Sequence, residues 1–84
     1  MADPITESYL QEALVERLNA TKVEVDDISG GCGQAFKATI VSPQFVGLNT
    51  LKRHRLVNAA LKEEIARIHA WTMTCLTPEQ YDAR

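Results

Sequence analysis

The chain has 84 residues, enough for one small domain and too few for a multidomain enzyme. Its composition, 45% hydrophobic and 24% charged, is typical of a globular protein, and no apolar run approaches the ~20 residues that span a bilayer. The net charge of −2 gives no overall attraction to nucleic acid or anionic lipid, so any basic site must be local.

The first half of the chain predicts one helix followed by two strands. Apolar residues recur at helical spacing from Tyr9 to about Ala20, which indicates a helix with one face against a core. Apolar and polar residues then alternate at 22–26 and again at 36–40, as in strands with one solvated face. Two antiparallel strands joined by a glycine-rich loop at 29–33 are the simplest interpretation.

The second half predicts a helical crossover and a third strand. Pro43 ends the second strand, and residues 51–68 are helical by composition, with a break expected near residues 62–64. Residues 70–76 alternate again, and Thr77-Pro78 can open a last helical turn. The order α-β-β-α-α-β, with a possible C-terminal helix, predicts an α+β fold with helices on one face of a three-stranded sheet.

The chain has two cysteines, Cys32 and Cys75, without C-x-x-C spacing or disulfide-scaffold density, which predicts a reducing compartment. The N-terminal residues show no apolar or arginine-rich targeting pattern, so we expect a cytoplasmic or nucleocytoplasmic location. Cys75 lies in the third predicted strand and is expected in the core. Cys32 lies in the glycine-rich loop, where an accessible thiol could bind a soft metal, attack a disulfide or be oxidised. The alternative is an incidental surface cysteine.

His69 lies where the third predicted helix gives way to the third strand, so its ring can project toward solvent from a fixed backbone. The alternative is a half-buried histidine that only hydrogen-bonds a carbonyl group. With Cys32 it would provide one thiolate and one imidazole, which suit iron or zinc but leave a tetrahedral site two ligands short. A partner would have to supply the others.

Lys52, Arg53, His54 and Arg55 form a local basic cluster at the start of a helix. Successive helical residues are rotated by about 100°, so the four side chains cannot all face one ligand. Some of them must be structural or solvated, and contacts with an anion, a partner protein or nucleic acid remain open for the others.

Conventional enzyme signatures are absent from the sequence, including H-E-x-x-H, G-x-S-x-G and the phosphate-binding loop. Glu63 and Glu64 are most simply interpreted as a solvated helix face. A chain of this length also leaves little room for a closed small-molecule cleft, so we predict that the protein is not an enzyme.

The stretch from Phe45 to Asn58 resembles the signature of the BolA family, in which F-x-G is followed at fixed distance by R-H-R-x-V. The triplets at 68–70 and 76–78 also match, in order and spacing, and the resemblance covers nearly the whole chain. Cys32 stands four residues before Phe36, which resembles the cytosolic eukaryotic branch of the family.

This resemblance implies a single BolA-like domain over residues 1–84, with a fold related to type II KH domains. It implies a monothiol glutaredoxin partner and a bridging [2Fe-2S] cluster, with Cys32 and His69 as the ligands from this chain. A glutaredoxin cysteine and a glutathione thiol would complete the ligand set. Arg53, His54 and Arg55 match the signature and are assigned to partner binding. In the family this pairing serves iron-sulfur trafficking or assembly and, in fungi, signals iron sufficiency to transcription factors.

The competing hypothesis is a KH-like nucleic-acid-binding regulator. A KH domain clamps phosphates with a G-x-x-G between two helices, whereas three of the four glycines here lie in the hairpin loop. We therefore rank the cluster-sharing function first.

Overall fold

The computed structural model describes residues 5–30 and 34–83, and its element order is the predicted one. The C-terminal turn predicted at Thr77-Pro78 is present as a fourth helix. The elements are α1 (Glu7–Leu18), β1 (Lys22–Asp27), β2 (Ala35–Val41), a 3-10 turn (Pro43–Phe45), α2 (Thr50–Ala60), α3 (Lys62–Ala66), β3 (Ala70–Leu76) and α4 (Pro78–Asp82).

The three strands form one mixed sheet in the order β1-β2-β3. The hairpin strands β1 and β2 are antiparallel, with Val25 opposite Ala38. Strand β3 pairs parallel to β2, with Met73 opposite Ala38, because helices α2 and α3 carry the chain back to the start of the sheet. The prediction of a three-stranded sheet is confirmed.

The core lies between one face of the sheet and helices α1 and α2. Alternate residues of β2 are buried on that face, and β1 and β3 contribute their own alternate residues beside them. The helices supply mostly leucine and valine, since the chain has few aromatic residues. The largest buried core side chains are Phe36, Phe45, Leu10, Leu14, Leu18, Ile40, Leu61 and Val57.

Helix α4 covers one corner of the opposite face of the sheet. Thr77 caps the helix, and its side chain and that of Gln80 form a reciprocal capping box. The Tyr81 hydroxyl lies 3.4 Å from a Glu24 carboxylate oxygen, and Lys22 Nζ lies 5.2 Å from the centroid of the Tyr81 ring. Because Lys22 and Glu24 alternate with the core-facing residues of β1, these contacts place α4 on the side away from the main helices.

Thr6 is the N-cap of helix α1, and its hydroxyl oxygen accepts a hydrogen bond from the Tyr9 backbone N–H at 3.1 Å. Asn19 is the C-cap of this helix and has a left-handed φ of 52°, a conformation common at helix C-termini. In the ranges 5–30 and 34–83 no helix is both long and apolar enough to cross a membrane.

Glu64 is buried, so the prediction of a solvated Glu63-Glu64 face is wrong for its second residue. The helical break occurs at Leu61, just before the predicted segment, and turns the Glu64 side chain toward α1. There it accepts hydrogen bonds from the Tyr9 hydroxyl at 2.6 Å and from Arg17 Nη1 at 3.0 Å. Arg17 also donates to the Ala60 carbonyl oxygen at 2.9 Å. This network fastens α1 to the junction between α2 and α3.

The Glu64 network should make the stability of the fold depend on pH. Burial raises the pKa of Glu64. The hydrogen bonds from Arg17 and Tyr9, together with the positive charge of Arg17, outweigh this effect and hold the pKa below its usual value. The stabilisation is therefore present above the unfolded-state pKa of about 4.3 and is lost as pH falls through the lower folded-state pKa. We expect Glu64→Gln to unfold about 1–2 kcal/mol more easily at pH 7, with a smaller difference at pH 3.

Urea unfolding at the two pH values measures this difference, and Glu63→Gln is the matched control because Glu63 is exposed on the same helix. Equal losses in the two variants, or a Glu64→Gln loss that does not shrink with acid, would contradict the prediction.

Candidate metal centre

His69 lies between α3, which ends at Ala66, and β3, which begins at Ala70, and it is exposed. Its backbone is held on both sides. The N–H of His69 donates to the Gln34 carbonyl oxygen at 2.6 Å, and half-buried Ile68 packs against the core just before it. Within the described part of the chain, the imidazole makes no hydrogen bond or ion pair. The ring is thus presented to solvent from a fixed backbone, and it is exposed rather than half-buried as the alternative supposes.

Gln34, the last residue before β2, connects the hairpin to His69. Its carbonyl oxygen accepts from both His69 N–H and, at 3.2 Å, Ala70 N–H. The register continues directly into the sheet, where Ala35 pairs with Ala70. Cys32, the other predicted ligand, lies outside the described residues together with Gly31 and Gly33. The structure therefore brings the C-terminal arm of the hairpin, but no described thiol, next to His69.

Local hydrogen bonds also fix the N-terminal side of the loop. Ile28 N–H donates to the Ala35 carbonyl oxygen at 2.8 Å, which extends the hairpin pairing beyond β1. The Asp27 carboxylate accepts from the Ser29 hydroxyl at 2.6 Å and from its N–H at 2.9 Å, and these bonds hold the pKa of Asp27 below its usual value. Gly30 follows with a left-handed φ of 56°, a conformation that favours glycine. The chain thus enters the loop from a defined turn.

The described residues next to His69 offer an incomplete set of metal ligands. In residues 5–30 and 34–83, no three His, Cys, Asp or Glu side chains form a group that could hold a metal ion. His69 offers one imidazole nitrogen, a ligand that suits iron as well as zinc. Any further ligands must come from outside the described residues or from a partner.

Cys75 lies on the core-facing side of β3 and is half-buried, in agreement with its predicted place in the core. Burial raises the pKa of its thiol to about 11, and the nearby Arg53 charge offsets only part of this effect. The thiolate is the nucleophile, so burial lowers the reactivity of this cysteine at neutral pH. Cys75 lies six residues after His69, near the far end of β3, so it is too distant to share a metal ion with the His69 imidazole.

This burial predicts slow alkylation of Cys75 by iodoacetamide at pH 7. A pKa of about 11 against about 8.5 for an unperturbed thiol lowers the thiolate fraction, and we expect the native rate to be about 100-fold below that of the denatured chain. Peptide mapping by mass spectrometry separates Cys75 from Cys32, and the guanidinium-denatured protein is the control. Comparable native and denatured rates would show that the thiol is not protected.

Arg53, the first arginine of the R-H-R motif, is engaged inside the molecule. Its Nε donates to the Leu48 carbonyl oxygen at 2.9 Å, and its Nη1 donates to the Cys75 carbonyl oxygen at 3.1 Å and to Gln80 Oε1 at 2.8 Å. The guanidinium carbon also lies 6.0 Å from the centroid of the buried Phe45 ring. Arg53 therefore joins the turn before α2 to β3 and α4.

The rest of the basic cluster is more available to a ligand. Lys52 and Arg55 are exposed and His54 is half-buried, all on the first turns of α2. The assignment of Arg53, His54 and Arg55 to partner binding stays a prediction, with Arg53 already committed to internal hydrogen bonds. The bonds of Arg53 to β3 and α4 and the Gln34 connection were not predicted from the sequence. Their contacting groups are more than 20 residues apart along the chain.

The comparisons with known proteins agree with this architecture. Residues 14–80 match the family model for "BolA-like protein". The chain is 45% identical over 78 residues to "Protein BOLA2" of Arabidopsis thaliana, covering 92% of this chain and 84% of that protein. It is 44% identical to "BolA-like protein 2" of Homo sapiens, covering 92% and 91%. The crystal structure of a bol-like protein from Babesia bovis superposes with a TM-score of 0.88 at 46% identity, covering 99% and 96%. The chain therefore belongs to the BolA-like protein family.

Proposed function

We propose that this protein is a non-enzymatic partner of a monothiol glutaredoxin, with which it shares a bridging [2Fe-2S] cluster. His69 and Cys32 are its ligands, and the glutaredoxin cysteine and glutathione supply the others. The observation that carries the proposal is the exposed His69 imidazole, which has no hydrogen-bond partner among residues 5–30 and 34–83, on a backbone fixed to the hairpin arm. Membership of the BolA-like family supports the assignment.

Covalent connectivity supports the pairing of Cys32 with His69. Gln34 bonds the His69 backbone and follows Cys32 by two residues, a span of at most about 7 Å between α-carbons. This covalent span is short enough for Cys32 and His69 to ligate one metal group. By contrast, Cys75 is held in the core at the other end of β3.

The imidazole ligand changes the properties of the proposed cluster. A neutral imidazole in place of a thiolate makes the metal group less negative, which raises its reduction potential and makes binding sensitive to pH. Such a cluster, when bound, supplies one-electron redox chemistry, and the cluster itself can be transferred to another protein. This suits iron-sulfur trafficking or assembly and iron-dependent regulation, including contact with an iron-responsive transcription factor, in the cytoplasm and nucleus.

The nucleic-acid alternative has less support. Of the basic residues that would contact phosphates, Arg53 donates to three internal acceptors, and only Lys52 and Arg55 are exposed. Two exposed cations give a weak electrostatic footprint. Salt-dependent DNA binding by the isolated protein, lost on replacing Lys52 and Arg55, would favour this alternative.

Anaerobic reconstitution tests the proposal. The protein is mixed with a monothiol glutaredoxin, glutathione, iron and sulfide, and the product is followed by visible absorption and circular dichroism. We expect a complex of this chain with glutaredoxin, a heterodimer or a heterotrimer, whose dichroism differs from that of glutaredoxin reconstituted alone. A spectrum equal to the glutaredoxin-only control, with this chain eluting separately, would reject the shared cluster.

A further inference from the structure

The side chain of Gln34 holds the N-terminal segment against the base of the hairpin. Its Oε1 accepts from the Ile5 N–H at 3.1 Å, and its Nε2 donates to the Ile5 carbonyl oxygen at 2.6 Å. Ile5 is buried, with 5% of its surface exposed, so this contact is anchored in the core. The same residue, through its backbone carbonyl, bonds the N–H groups of His69 and Ala70. Gln34 therefore links three separate segments of the chain.

Only a primary amide of this length makes both side-chain bonds. Glutamate would keep the acceptor for Ile5 N–H but would face the Ile5 carbonyl oxygen with a negative charge. Asparagine is one methylene shorter, and methionine has the length but neither hydrogen-bonding group. These differences provide a graded series of variants at one position.

We infer that Gln34 is a positioning residue, which uses its amide bonds to buried Ile5 to hold the hairpin arm in register with His69. The inference rests on the proposed function only where it concerns cluster ligands. Without the amide bonds, the Gln34 backbone is held on one side only, and the hydrogen bonds that fix His69 open more often. The N-terminal segment is thus part of the structure that orients the site.

Amide hydrogen exchange of the apo protein tests the coupling without any metal. In Gln34→Met we expect the His69 and Ala70 amides to exchange about tenfold faster, since both hydrogen bonds to buried Ile5 are lost. The Leu61 amide, which bonds Val57 in the core, should keep its wild-type rate and thereby reports global stability. In Gln34→Glu, the exchange rates of the His69 and Ala70 amides should lie between those of wild type and Gln34→Met.

Gln44→Met is the matched control, because Gln44 is exposed and lies in the 3-10 turn. A His69 amide that exchanges at the wild-type rate in Gln34→Met would overturn the inference. Equal acceleration at His69 and Leu61 would also overturn it, since the residue would then support the fold as a whole.

Reconstitution with glutaredoxin gives the second readout. We expect the Gln34→Met complex to lose its cluster several-fold faster than wild type and Gln44→Met, with an altered dichroism spectrum. An unchanged lifetime and spectrum would show that register at Gln34 does not matter to the ligands. If the wild-type protein forms no shared cluster, the proposed function fails, while the exchange experiment still decides the coupling of Gln34 to His69.

Discussion

Replacing His69 with alanine should abolish the shared cluster or shorten its lifetime at least tenfold, while the apo fold stays intact. The imidazole is exposed and has no partner among residues 5–30 and 34–83, so its removal should change the free energy of unfolding by less than about 0.5 kcal/mol. Loss of a metal ligand is a larger perturbation than loss of an outer-shell contact, which already costs about 10- to 100-fold in affinity. Visible absorption after reconstitution measures the cluster, and thermal unfolding of the apo protein measures the fold.

His54→Ala removes the only other histidine, which lies on α2, and distinguishes loss of a ligand from weaker partner binding. Because His54 is assigned to partner binding, this variant should at most weaken association with glutaredoxin, and the spectrum is compared for the complex that forms. His54→Ala should leave the cluster spectrum as in wild type. Cys32→Ala should change the spectrum but still allow association with glutaredoxin. A folded His69→Ala protein that gives the wild-type spectrum and lifetime would count decisively against His69 as a ligand.

Truncation of Phe45 should produce the largest loss of stability. Its side chain is fully buried at the end of the 3-10 turn, against the core and beneath the Arg53 guanidinium. Phe45→Ala removes this contact area and leaves a cavity, for which the usual cost is about 3–5 kcal/mol. Native domains have free energies of unfolding of about 5–15 kcal/mol, and a domain this small is expected near the lower end. The variant should therefore be close to unfolded at 37 °C.

Urea unfolding at 15–25 °C gives the free energy of each variant. The adjacent Val46, 65% exposed, provides the control, because Val46→Ala should change the free energy of unfolding by less than about 0.5 kcal/mol. Losses below about 1 kcal/mol for Phe45→Ala would mean that the aromatic ring of the F-x-G motif does not support the core.

The elements were predictable because their side-chain periods differ. Alternation in β3 is visible as Trp71, Met73 and Cys75 packed against the core, with Thr72 and Thr74 exposed. The leucines of α1 recur at helical spacing because one face of that helix is buried. Such signals are local and can be read from neighbouring residues. The parallel pairing of β3 with β2 was not predicted, and the structure shows that the long helical crossover permits it.

The polar contacts that organise the site were not predictable in this way. Glu64 is indistinguishable from Glu63 in the sequence, and its burial depends on Tyr9 and Arg17 at distances of 55 and 47 residues along the chain. Arg53 similarly looks like one of several available cations until β3 and α4 are placed beside it. Charge and residue type predict that a group needs a partner, but only the fold identifies the partner.

The candidate site was predicted in a different way. The position of His69 between α3 and β3 followed from local patterns, and the structure confirms that its ring is exposed. Its role as an iron ligand, together with that of Cys32, was implied by the resemblance to the BolA family and stays a prediction. Gln34, which connects the two regions, had no distinguishing signal in the sequence.

The most direct test is pulsed electron paramagnetic resonance of the reduced complex, formed from ¹⁵N-histidine-labelled protein and unlabelled glutaredoxin. We predict a ¹⁵N hyperfine coupling of the size expected for an imidazole bound to iron, absent in labelled His69→Ala and retained in labelled His54→Ala. A cluster that shows no labelled-nitrogen coupling in the wild-type complex would contradict the account.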